Sequence, residues 1–304
     1  MKIAAITITY NDEYKFNEWC KWYEEYKDDL NSHIIVDNHS EPEYLQKVTS
    51  YFTNSIIIER KTNGGCTGAY NDGIRKALEN PDIDTIMLIG NDMKLDKGTI
   101  PNLYDFLNSD SSCGMISPLI LKKGSSIIES YGCIISKKLT LSEKEANHEI
   151  SFIQTDYNIS ETVAGGMNMA KRKFYEEVGL QDENLFMYSD EVDMGLRAKK
   201  KGFLMAATKK AIAWHMHINE SNKDRRHPFS RYLIARNKVY LGRKHFGTKR
   251  ALYIFNYFIY DSLKGFIINT IRRKPVLLRE YAWQLYGAVA GLMNNMHPNK
   301  YSMR

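Results

Sequence analysis

The chain has 304 residues, 43% of them hydrophobic, which is enough for a substantial core and excludes a disordered protein. The four cysteines, at positions 20, 66, 113 and 133, have no Cys-x-x-Cys spacing and so do not indicate a zinc site or a disulfide framework. The net charge of +6 is unevenly distributed, because residues 221–304 hold 17 lysines and arginines against three acids and the remainder holds 25 against 33. Such a basic segment indicates nucleic acid, anionic lipid or a phosphorylated small molecule as its partner.

The N-terminal residues do not have the pattern of a secretory signal. The apolar run in "MKIAAITITY" is short and passes directly into the polar "NDEYKFNEW". Near the other end, Asn256, Asp261 and Lys264 interrupt the most apolar stretch, so the sequence predicts no transmembrane helix. We therefore expect a cytoplasmic protein.

Short β-branched runs alternate with helical patterns over roughly the first 110 residues. The runs are 2–10, 33–38, 55–60 and 84–92, and the helical patterns between them include 13–30 and 67–80. This alternation predicts a mostly parallel α/β sheet with helices on both faces, whose ligands bind at the carboxyl ends of the strands.

Polar residues follow three of these predicted strands. They are Thr9, Tyr10 and Asn11 after the first strand, Asp37, Asn38 and Ser40 after the second, and Asn91 and Asp92 after the fourth. Each could be ordinary turn chemistry, since Asn, Asp and Ser favour loops. Their convergence on one edge of the sheet predicts a binding site there.

The glycine-rich segment "NGGCTGAYNDGI", residues 63–74, runs into a helix. Exposed backbone amides at such a helix start can bind phosphate. The glycines do not form a Gly-x-Gly-x-x-Gly fingerprint and do not follow the first strand, so a dinucleotide site is not indicated. Close packing of the helix on the sheet is the alternative explanation.

The alternation ends after residue 113. Residues 114–121 and 126–136 predict neighbouring antiparallel strands, and "AIAWHMH", residues 211–217, predicts a further strand. His215 and His217 share a face of that strand. With Asp92, water and a diphosphate, such histidines could complete an octahedral Mn²⁺ or Mg²⁺ site, although structural histidines are an equal alternative.

The segment "LFMYSDEVDMGLRAKKKGF", residues 185–203, predicts a helix that begins with Asp190, Glu191 and Asp193 and then turns basic. Favourable interaction with the helix dipole, with Ser189 as N-cap, would explain this pattern without any catalytic role. From about residue 228 the sequence is helical and rich in aromatic residues.

Taken in order, "ITITYND", "IIVDNHS", "NGGCTGAYNDGI", "LIGNDMKLDKGTIPNL", "VAGGMNMAKRKFYEEVGLQDENLFMYSDEVDMGLRAKKKGF" and "AWHMH" resemble bacterial glycosyltransferase family 2, in its rhamnosyltransferase-like branch. The resemblance covers about the first 220 residues, and "ARNKVYLGRKHFG" resembles the tail of the same branch. It implies a GT-A fold, a UDP- or dTDP-linked sugar donor and a divalent metal, Mn²⁺ or Mg²⁺. It also implies a catalytic domain at 1–220, with a donor half at about 1–112 and an acceptor half at about 113–220, followed by a basic helical extension at 221–304.

The resemblance assigns roles residue by residue. Donor contacts fall on Thr9, Tyr10, Asn11, Asp37, Asn63, Gly65, Asn71, Asn91 and Asp92. The metal falls to Asp92 and His215, and the acceptor to Gly165, Gly166 and Trp214. The acidic pair supplies the catalytic base, which we assign to Glu191 with Asp190 as the alternative, while Asp193 is expected to pair with Arg197 within the helix.

Two positions depart from the family pattern. Gly90 stands where the DxD-like motif usually has its first acid, so that side of the site has one carboxylate, Asp92. The acidic pair is also reversed, with Asp190 before Glu191 in place of Glu before Asp.

The predicted function is that of an inverting, metal-dependent glycosyltransferase for bacterial surface polysaccharide, lipopolysaccharide or glycan precursors, acting on a saccharide or lipid-linked acceptor. We expect it on the inner face of the cell membrane, with the extension bound to anionic lipid, no nucleic-acid partner and a homodimer as an option. The rival classes are a sugar-phosphate nucleotidyltransferase, for which the chain has no basic glycine-rich loop after its first strand, and a nucleic-acid-binding protein based on the basic, aromatic tail.

Overall fold

A computed structural model describes residues 1–216 and 228–297. His217, a candidate metal ligand in the sequence, lies outside the described residues. No described helix combines the length and the apolar character needed to cross a lipid bilayer.

The strands of the described chain are short, apart from two long ones. They are β1 (Ile3–Thr9), β2 (Ser32–Asp37), β3 (Ile56–Glu59), β4 (Thr85–Ile89), β5 (Met93–Leu95), β6 (Cys113–Lys122), β7 (Ile128–Ser130), β8 (Cys133–Ile135), β9 (Leu141–Glu143), β10 (Tyr157–Ser160), β11 (Met167–Lys171) and β12 (Leu204–His215).

The helices lie between the early strands and then dominate the end of the chain. They are α1 (Phe16–Tyr26), α2 (Pro42–Tyr51), α3 (Gly65–Leu78), α4 (Thr99–Ser109), α5 (Arg172–Val178), α6 (Asp190–Lys200), α7 (Pro228–Phe246), α8 (Thr248–Ile271) and α9 (Pro275–Leu292). The predicted helical character from about residue 228 is confirmed.

Ten of these strands form one mixed sheet in the order β10-β12-β6-β11-β4-β1-β2-β3, with β5 added on β12 and β7 on β6. β1 pairs in parallel with β2 and β4, and β2 with β3. In this register Thr9 lies beside Asp37, so the polar ends of β1 and β2 meet at the same edge. The predicted α/β class and its mixed, mostly parallel central sheet are confirmed.

Apolar side chains cover both faces of the sheet. One face carries a core in which Ile6, Ile34 and Ile74 are buried, and the other a core with Ile3, Met87 and Leu103. Helix α3 lies very close to the sheet, because a Cβ added at Gly73 would lie 2.4 Å from Ile6. The close-packing explanation for this glycine-rich segment therefore applies at Gly73.

The predicted antiparallel addition after residue 113 is present, since β7 pairs with β6 in that direction. The sequence did not reveal β5, β10 or β11. Strand β11 lies antiparallel between β4 and β6, in the middle of the sheet. It is only five residues long and includes Asn168 and Lys171, so its partners decide its conformation more than its own β-propensity does.

The described chain divides into two compact units. One comprises residues 1–134, 141–181 and 194–216, and the other residues 135–140, 182–193 and 228–297. The predicted boundary at residue 220 stays a prediction, and the compact units follow a different division. The second unit contains the acidic pair, Asp190 and Glu191, together with the helices α7 to α9.

Helices α7 and α9 approach each other closely within this second unit. A Cβ added at Gly287 would lie 2.1 Å from the carbonyl oxygen of Tyr232, and one at Gly291 would lie 2.3 Å from that of Arg236. Only glycine permits such backbone contact, so α9 fits against α7 at these two positions.

Candidate functional site

The carboxyl ends of β1, β2 and β4 carry most of the predicted donor residues in the first unit. Thr9 is buried, and its hydroxyl lies 2.6 Å from the hydroxyl of Tyr44. Tyr10 is exposed at 43%, and Asn11, in the left-handed region at φ 50°, accepts a hydrogen bond from the Glu41 amide at 2.8 Å. These contacts fix the loop after β1 and leave the Tyr10 ring available for stacking.

Asp37, at the end of β2, is fully buried. Its Oδ2 accepts a hydrogen bond from the Ser40 amide at 3.0 Å. Its Oδ1 is buried and has no hydrogen-bond partner within the described residues. Leaving a buried carboxylate oxygen without a donor is costly, so a donor from outside the protein would be accommodated favourably here.

The glycine-rich loop before α3 is held by asparagines. The Gly64 amide donates to Asn38 Oδ1 at 3.0 Å, and the Gly65 amide donates to Asn63 Oδ1 at 2.9 Å. Asn38 Nδ2 also donates to Asn63 Oδ1 at 3.0 Å. These two amides are therefore engaged by side chains, and this helix start does not present them to a phosphate.

Asn71 is a predicted donor residue that the structure engages elsewhere. Its Nδ2 donates to the Gln181 carbonyl and its Oδ1 accepts from the Gln181 amide, both at 2.9 Å. The side chain thus holds the chain after α5 against α3. A direct donor contact by Asn71 stays a prediction.

Asp92 and His215, the two predicted metal ligands, are brought together, with Oδ2 and Nε2 3.7 Å apart. His215 Nδ1 lies 2.8 Å from Glu129 Oε1 on β7. Burial opposes charging of His215, but its contacts with the two carboxylates outweigh burial and raise its pKa to about 9. Burial likewise opposes ionisation of Asp92, yet His215 and Lys15 hold the pKa of Asp92 at about 2.

Lys15, at the start of α1, adds a second cation to this cluster. Its Nζ lies 3.6 Å from Asp92 Oδ2 and 3.2 Å from Asp12 Oδ1, and it donates to Asn91 Oδ1 at 3.0 Å. Burial alone would lower the pKa of Lys15, but the charges of Asp92 and Asp12 raise it. The ammonium group is thus a fixed positive charge beside the predicted diphosphate site.

The side chains around Asp92 suit a divalent cation that has two protein ligands. Within residues 1–216 and 228–297, no three His, Cys, Asp or Glu side chains are grouped to hold a metal ion. Asp92 and His215 would supply an oxygen and a nitrogen at a separation that adjacent ligands of one cation can adopt, once the cation displaces the proton on His215 Nε2. Glu129 would hold the imidazole at Nδ1. Further ligands would be oxygens of the diphosphate and water.

Gly90, the departure in the DxD-like motif, has a steric explanation. A Cβ at this position would lie 2.8 Å from Asp92 Oδ1 and 3.4 Å from the carbonyl of Gly166. The Gly90 amide donates to that same carbonyl at 2.9 Å. A first acid in the motif would therefore displace the carboxylate that faces His215.

The predicted acceptor residues of this unit lie near the same edge of the sheet. Gly166 neighbours Gly90 as described, and Gly165 is exposed. The Trp214 indole donates to the Ser125 carbonyl at 3.2 Å and lies under the Lys94 ammonium group. The partly exposed Trp214 ring is therefore fixed in position, and its role in acceptor binding stays a prediction.

In the second unit, a strained segment leads into the acidic pair. Phe186, Tyr188 and Ser189 all have left-handed φ angles, 64°, 70° and 66°. Such conformations cost about 1 to 3 kcal/mol each and persist only where the surroundings enforce them. The Asp193 amide donates to the Ser189 carbonyl at 3.1 Å, so α6 begins directly after this segment.

The carboxyl groups of the acidic pair share a hydrogen bond. Burial raises the pKa of Asp190, the charge of Asp193 raises it further, and a hydrogen bond with Glu191 opposes the change. The pair therefore retains a proton at higher pH than an ordinary carboxyl group does. A base formed by this pair works only after that proton has left.

Asp193, two residues beyond the pair, is fully buried. Its Oδ1 lies 2.7 Å from both Lys244 Nζ and His245 Nε2 on α7. Lys244 also contacts Asp182 Oδ2 at 2.7 Å. The first turn of α6 is thus tied to α7, and the pairing of Asp193 with Arg197 within α6 stays a prediction.

Sequence reasoning missed two residues around Asp92 and His215, namely Lys15 and Glu129, and two buried residues of α7, Arg236 and Asn237. Glu129 meets His215 through strand pairing, and Lys15 reaches Asp92 from the start of α1. Arg236 and Asn237 were part of the segment that resembled the family tail, and they are fully buried. No signal in the sequence marks them as buried, because Arg and Asn are mostly exposed in proteins.

Comparison with known proteins gives the family. The model described as Glycosyl transferase family 2 matches residues 6–179, more than half of the chain. The protein belongs to glycosyl transferase family 2, and the family predicted from the sequence is confirmed.

Curated relatives are similar at low identity. N-acetylglucosaminyl-diphospho-decaprenol L-rhamnosyltransferase of Mycobacterium tuberculosis is 24% identical over 244 residues, 72% of this chain and 76% of the relative. The dTDP-rhamnosyl transferase RfbF of Shigella flexneri is 26% identical over 203 residues, which are 67% of this chain and 65% of the relative. The low-salt glycan biosynthesis hexosyltransferase Agl10 of Haloferax volcanii is 25% identical over 172 residues, 55% of this chain and about half, 53%, of the relative.

Solved structures share the fold. GalNAc-T7 with UDP, GalNAc and Mn²⁺ superimposes with a TM-score of 0.62 at 12% identity, over 79% of this chain and 47% of that chain. The mannosyltransferase PcManGT of Pyrobaculum calidifontis, in complex with GDP-Man and Mn²⁺, gives a TM-score of 0.57 at 13% identity, over 96% of this chain and 87% of that chain. TarS 1–349 of S. aureus with UDP-GlcNAc gives a TM-score of 0.53 at 14% identity, over 97% of this chain and 91% of that chain. The predicted GT-A fold is thereby confirmed.

Proposed function

We propose that the protein is an inverting, divalent-metal-dependent glycosyltransferase that moves a sugar from a UDP- or dTDP-linked donor to a hydroxyl group. The acceptor is a saccharide or lipid-linked saccharide of bacterial surface polysaccharide, lipopolysaccharide or glycan biosynthesis. Family membership supports the reaction class, and the names of the rhamnosyltransferase relatives support rhamnose as one donor sugar and a polyprenyl diphosphate saccharide as one acceptor.

The observation that carries the donor assignment is the unpartnered Oδ1 of Asp37. A buried carboxylate oxygen at the end of β2 is suited to accept the N3–H of uracil or thymine. Tyr10 is exposed and directly follows Thr9, the register partner of Asp37, so it offers a ring for stacking on the base. Cytosine has an acceptor at N3, so it offers Asp37 no donor at that position.

The proposed reaction needs charge neutralisation on the donor and a base for the acceptor. Lys15 and a cation held by Asp92 and His215 would neutralise the diphosphate as it departs. A carboxylate of the Asp190–Glu191 pair takes the proton of the attacking hydroxyl. Attack and departure in one displacement invert the anomeric centre.

A panel of nucleotides and nucleotide sugars tests this proposal by thermal shift and by hydrolysis, with and without Mn²⁺. Ligand binding raises the melting temperature by mass action, so the panel identifies base and sugar together. If no nucleotide sugar raises the melting temperature or is consumed, the proposal is wrong.

We expect Asp37→Asn to weaken UDP or dTDP binding about 10- to 100-fold, since a hydrogen bond to a charged group contributes about 1.5 to 3 kcal/mol. The amide can keep its bond from the Ser40 amide but presents a donor to the base. The preference of the wild type for UDP over CDP should therefore fall in the variant. Unchanged UDP affinity would remove Asp37 from the base site, and Asp82→Asn, an exposed acid of the same unit, is the control.

The C-terminal helices support association with an anionic membrane surface at the inner face of the cell membrane. Tyr253, Tyr260, Ile267 and Ile271 are 47, 67, 63 and 77% exposed, and their spacing places them on one face of α8. Arg272, Arg273 and Lys274 follow at the turn before α9 and are exposed. Of the aromatic residues in this region, Phe258 is buried and cannot contribute.

An anionic surface would attract this turn, because basic residues near such lipids contribute about 1 kcal/mol each. We expect the full-length protein to sediment with phosphatidylglycerol vesicles at low salt and to be released at high salt. Changing Arg272, Arg273 and Lys274 to Glu should abolish sedimentation. The control variant changes Lys199, Lys200 and Lys201 of the other unit to Glu, which alters the net charge by the same amount, and it should still bind the vesicles. Equal loss of vesicle binding in the two variants, or no binding by the wild type, argues against this surface.

A further inference from the structure

Two buried polar residues of α7 hold the backbone that leads into the acidic pair. Asn237 Nδ2 donates to the carbonyl oxygens of Leu185, Met187 and Tyr188 at 3.0, 2.9 and 2.8 Å. Arg236 Nη2 donates to the carbonyls of Asn184 and Leu185 at 3.1 and 2.9 Å. Residues 184–188 therefore receive most of their hydrogen bonds from two consecutive side chains.

Arg236 also fixes the orientation of its neighbour. Its Nε donates to Asn237 Oδ1 at 3.0 Å, so the Asn237 amide must direct its NH₂ group at the 185–188 carbonyls. On the other side, Arg236 Nη1 donates to the Met296 carbonyl at 3.0 Å. The same guanidinium group thus links the segment before α6 to the segment after α9.

Stability of the fold alone does not explain why Arg236 and Asn237 are buried here. Arg236 is fully buried, burial lowers its pKa, and in the described part of the chain its hydrogen-bond acceptors are neutral oxygens. Burying a charge without an opposite charge beside it costs free energy that hydrogen bonds to neutral oxygens offset only in part. What the pair supplies that an apolar residue cannot is a precise set of donors for a strained segment.

The strain lies where the donors act. The left-handed residues Phe186 and Tyr188 are flanked by carbonyls that Asn237 binds, and the left-handed Ser189 immediately precedes Asp190. Without these donors the segment would relax toward ordinary φ angles. The direction in which the chain enters α6 would then change, and with it the positions of both carboxyl groups.

We infer that Arg236 and Asn237 are positioning residues for sugar transfer, acting through the backbone of residues 184–189 on the Asp190–Glu191 pair. This inference rests on the proposed function, in which that pair supplies the base. It makes the C-terminal helices part of the catalytic apparatus, in addition to any role at a membrane.

The test uses an isosteric change with a matched control. Asn237→Asp keeps the volume and the contact with Arg236 but removes the donated bonds. Gln284→Glu does the same to another buried amide of this unit, whose hydrogen bonds in the described chain go to Arg231, Asp261 and Ser262 rather than to residues 184–189. Both variants should lose melting temperature.

We expect only Asn237→Asp to lower kcat, by about a hundredfold, because small misplacements of a catalytic group have effects of that size. The KM for the nucleotide sugar should stay unchanged. Hydrogen exchange of the full-length protein should accelerate in residues 184–190 of Asn237→Asp and not in Gln284→Glu. Equal kcat losses in the two variants at equal melting temperature, or unchanged exchange in Asn237→Asp, would overturn the inference.

The exchange measurement separates this inference from the proposed function, since it needs no substrate. If the wild type transfers no sugar, the proposed function fails. The exchange difference then still reports whether Asn237 holds the segment. Arg236→Met provides a second variant, which should accelerate exchange in the same residues because it removes the bonds to Asn184 and Leu185.

Discussion

Asp92→Asn and His215→Ala should each reduce sugar transfer about a hundred- to a thousandfold, the size of effect seen when one group that stabilises developing charge is removed. Asp92 is the one carboxylate of its motif, and Gly90 leaves no second acid to compensate. His215 lies close enough to reach a cation held by Asp92. Steady-state transfer rates at saturating Mn²⁺ measure the loss.

Two further readouts distinguish loss of the metal from loss of the fold. The melting temperature should fall only modestly in either variant, because both side chains lie at strand ends and remain partly exposed. The additional stabilisation that Mn²⁺ gives to the UDP complex should disappear in Asp92→Asn and persist in Asp96→Asn, an acid a few residues further along the chain. Full transfer in EDTA, or by either variant, would contradict the metal assignment.

The part of the site that could be predicted depends on position along a strand. Parallel strands recognised from β-branched runs bring their ends to one edge, so Thr9, Asp37 and Asp92 followed from local pattern alone. His215 followed in the same way, because "AWHMH" ends a strand. Such residues are predictable because ligands of an α/β sheet bind at the carboxyl ends of its strands, whichever strand supplies the residue.

Residues of the site that do not lie at a predicted strand end could not be predicted from the sequence. Glu129 reaches His215 because β7 pairs with β6, which in turn pairs with β12, and no local pattern encodes that sequence of pairings. Lys15 lies at the start of a helix, where the sequence has the pattern of an ordinary amphipathic turn and does not indicate a site residue. The burial of Phe258 beside the exposed Tyr260 shows the same limit in α8, where apolar side chains occur on every face and only packing selects one.

Glu191→Gln should abolish transfer, whereas Asp190→Asn should be the milder change. Glu191 occupies the second place of the family's acidic pair, which we assign to the base, and loss of a general base costs about a hundred- to ten-thousandfold in rate. Binding of UDP and Mn²⁺ should remain nearly intact in both variants, because the groups proposed to bind them lie in the first unit. Measurements of kcat and of nucleotide affinity for the two variants provide this comparison.

The pH dependence gives an independent way to assign the base. Because burial and the neighbouring Asp193 raise the pKa of Asp190, and Asp190 and Glu191 share a hydrogen bond, the pair should lose its last proton above the ordinary carboxyl range. A base acts in its deprotonated form, so wild-type kcat should be full above this apparent pKa and should decline as pH falls through it. In Asp190→Asn, Glu191 loses a carboxylate neighbour, and the acid limb of kcat should move to lower pH while activity at neutral pH is largely kept. If Asp190→Asn is instead the inactive variant and Glu191→Gln keeps the rate with a displaced acid limb, the base is Asp190.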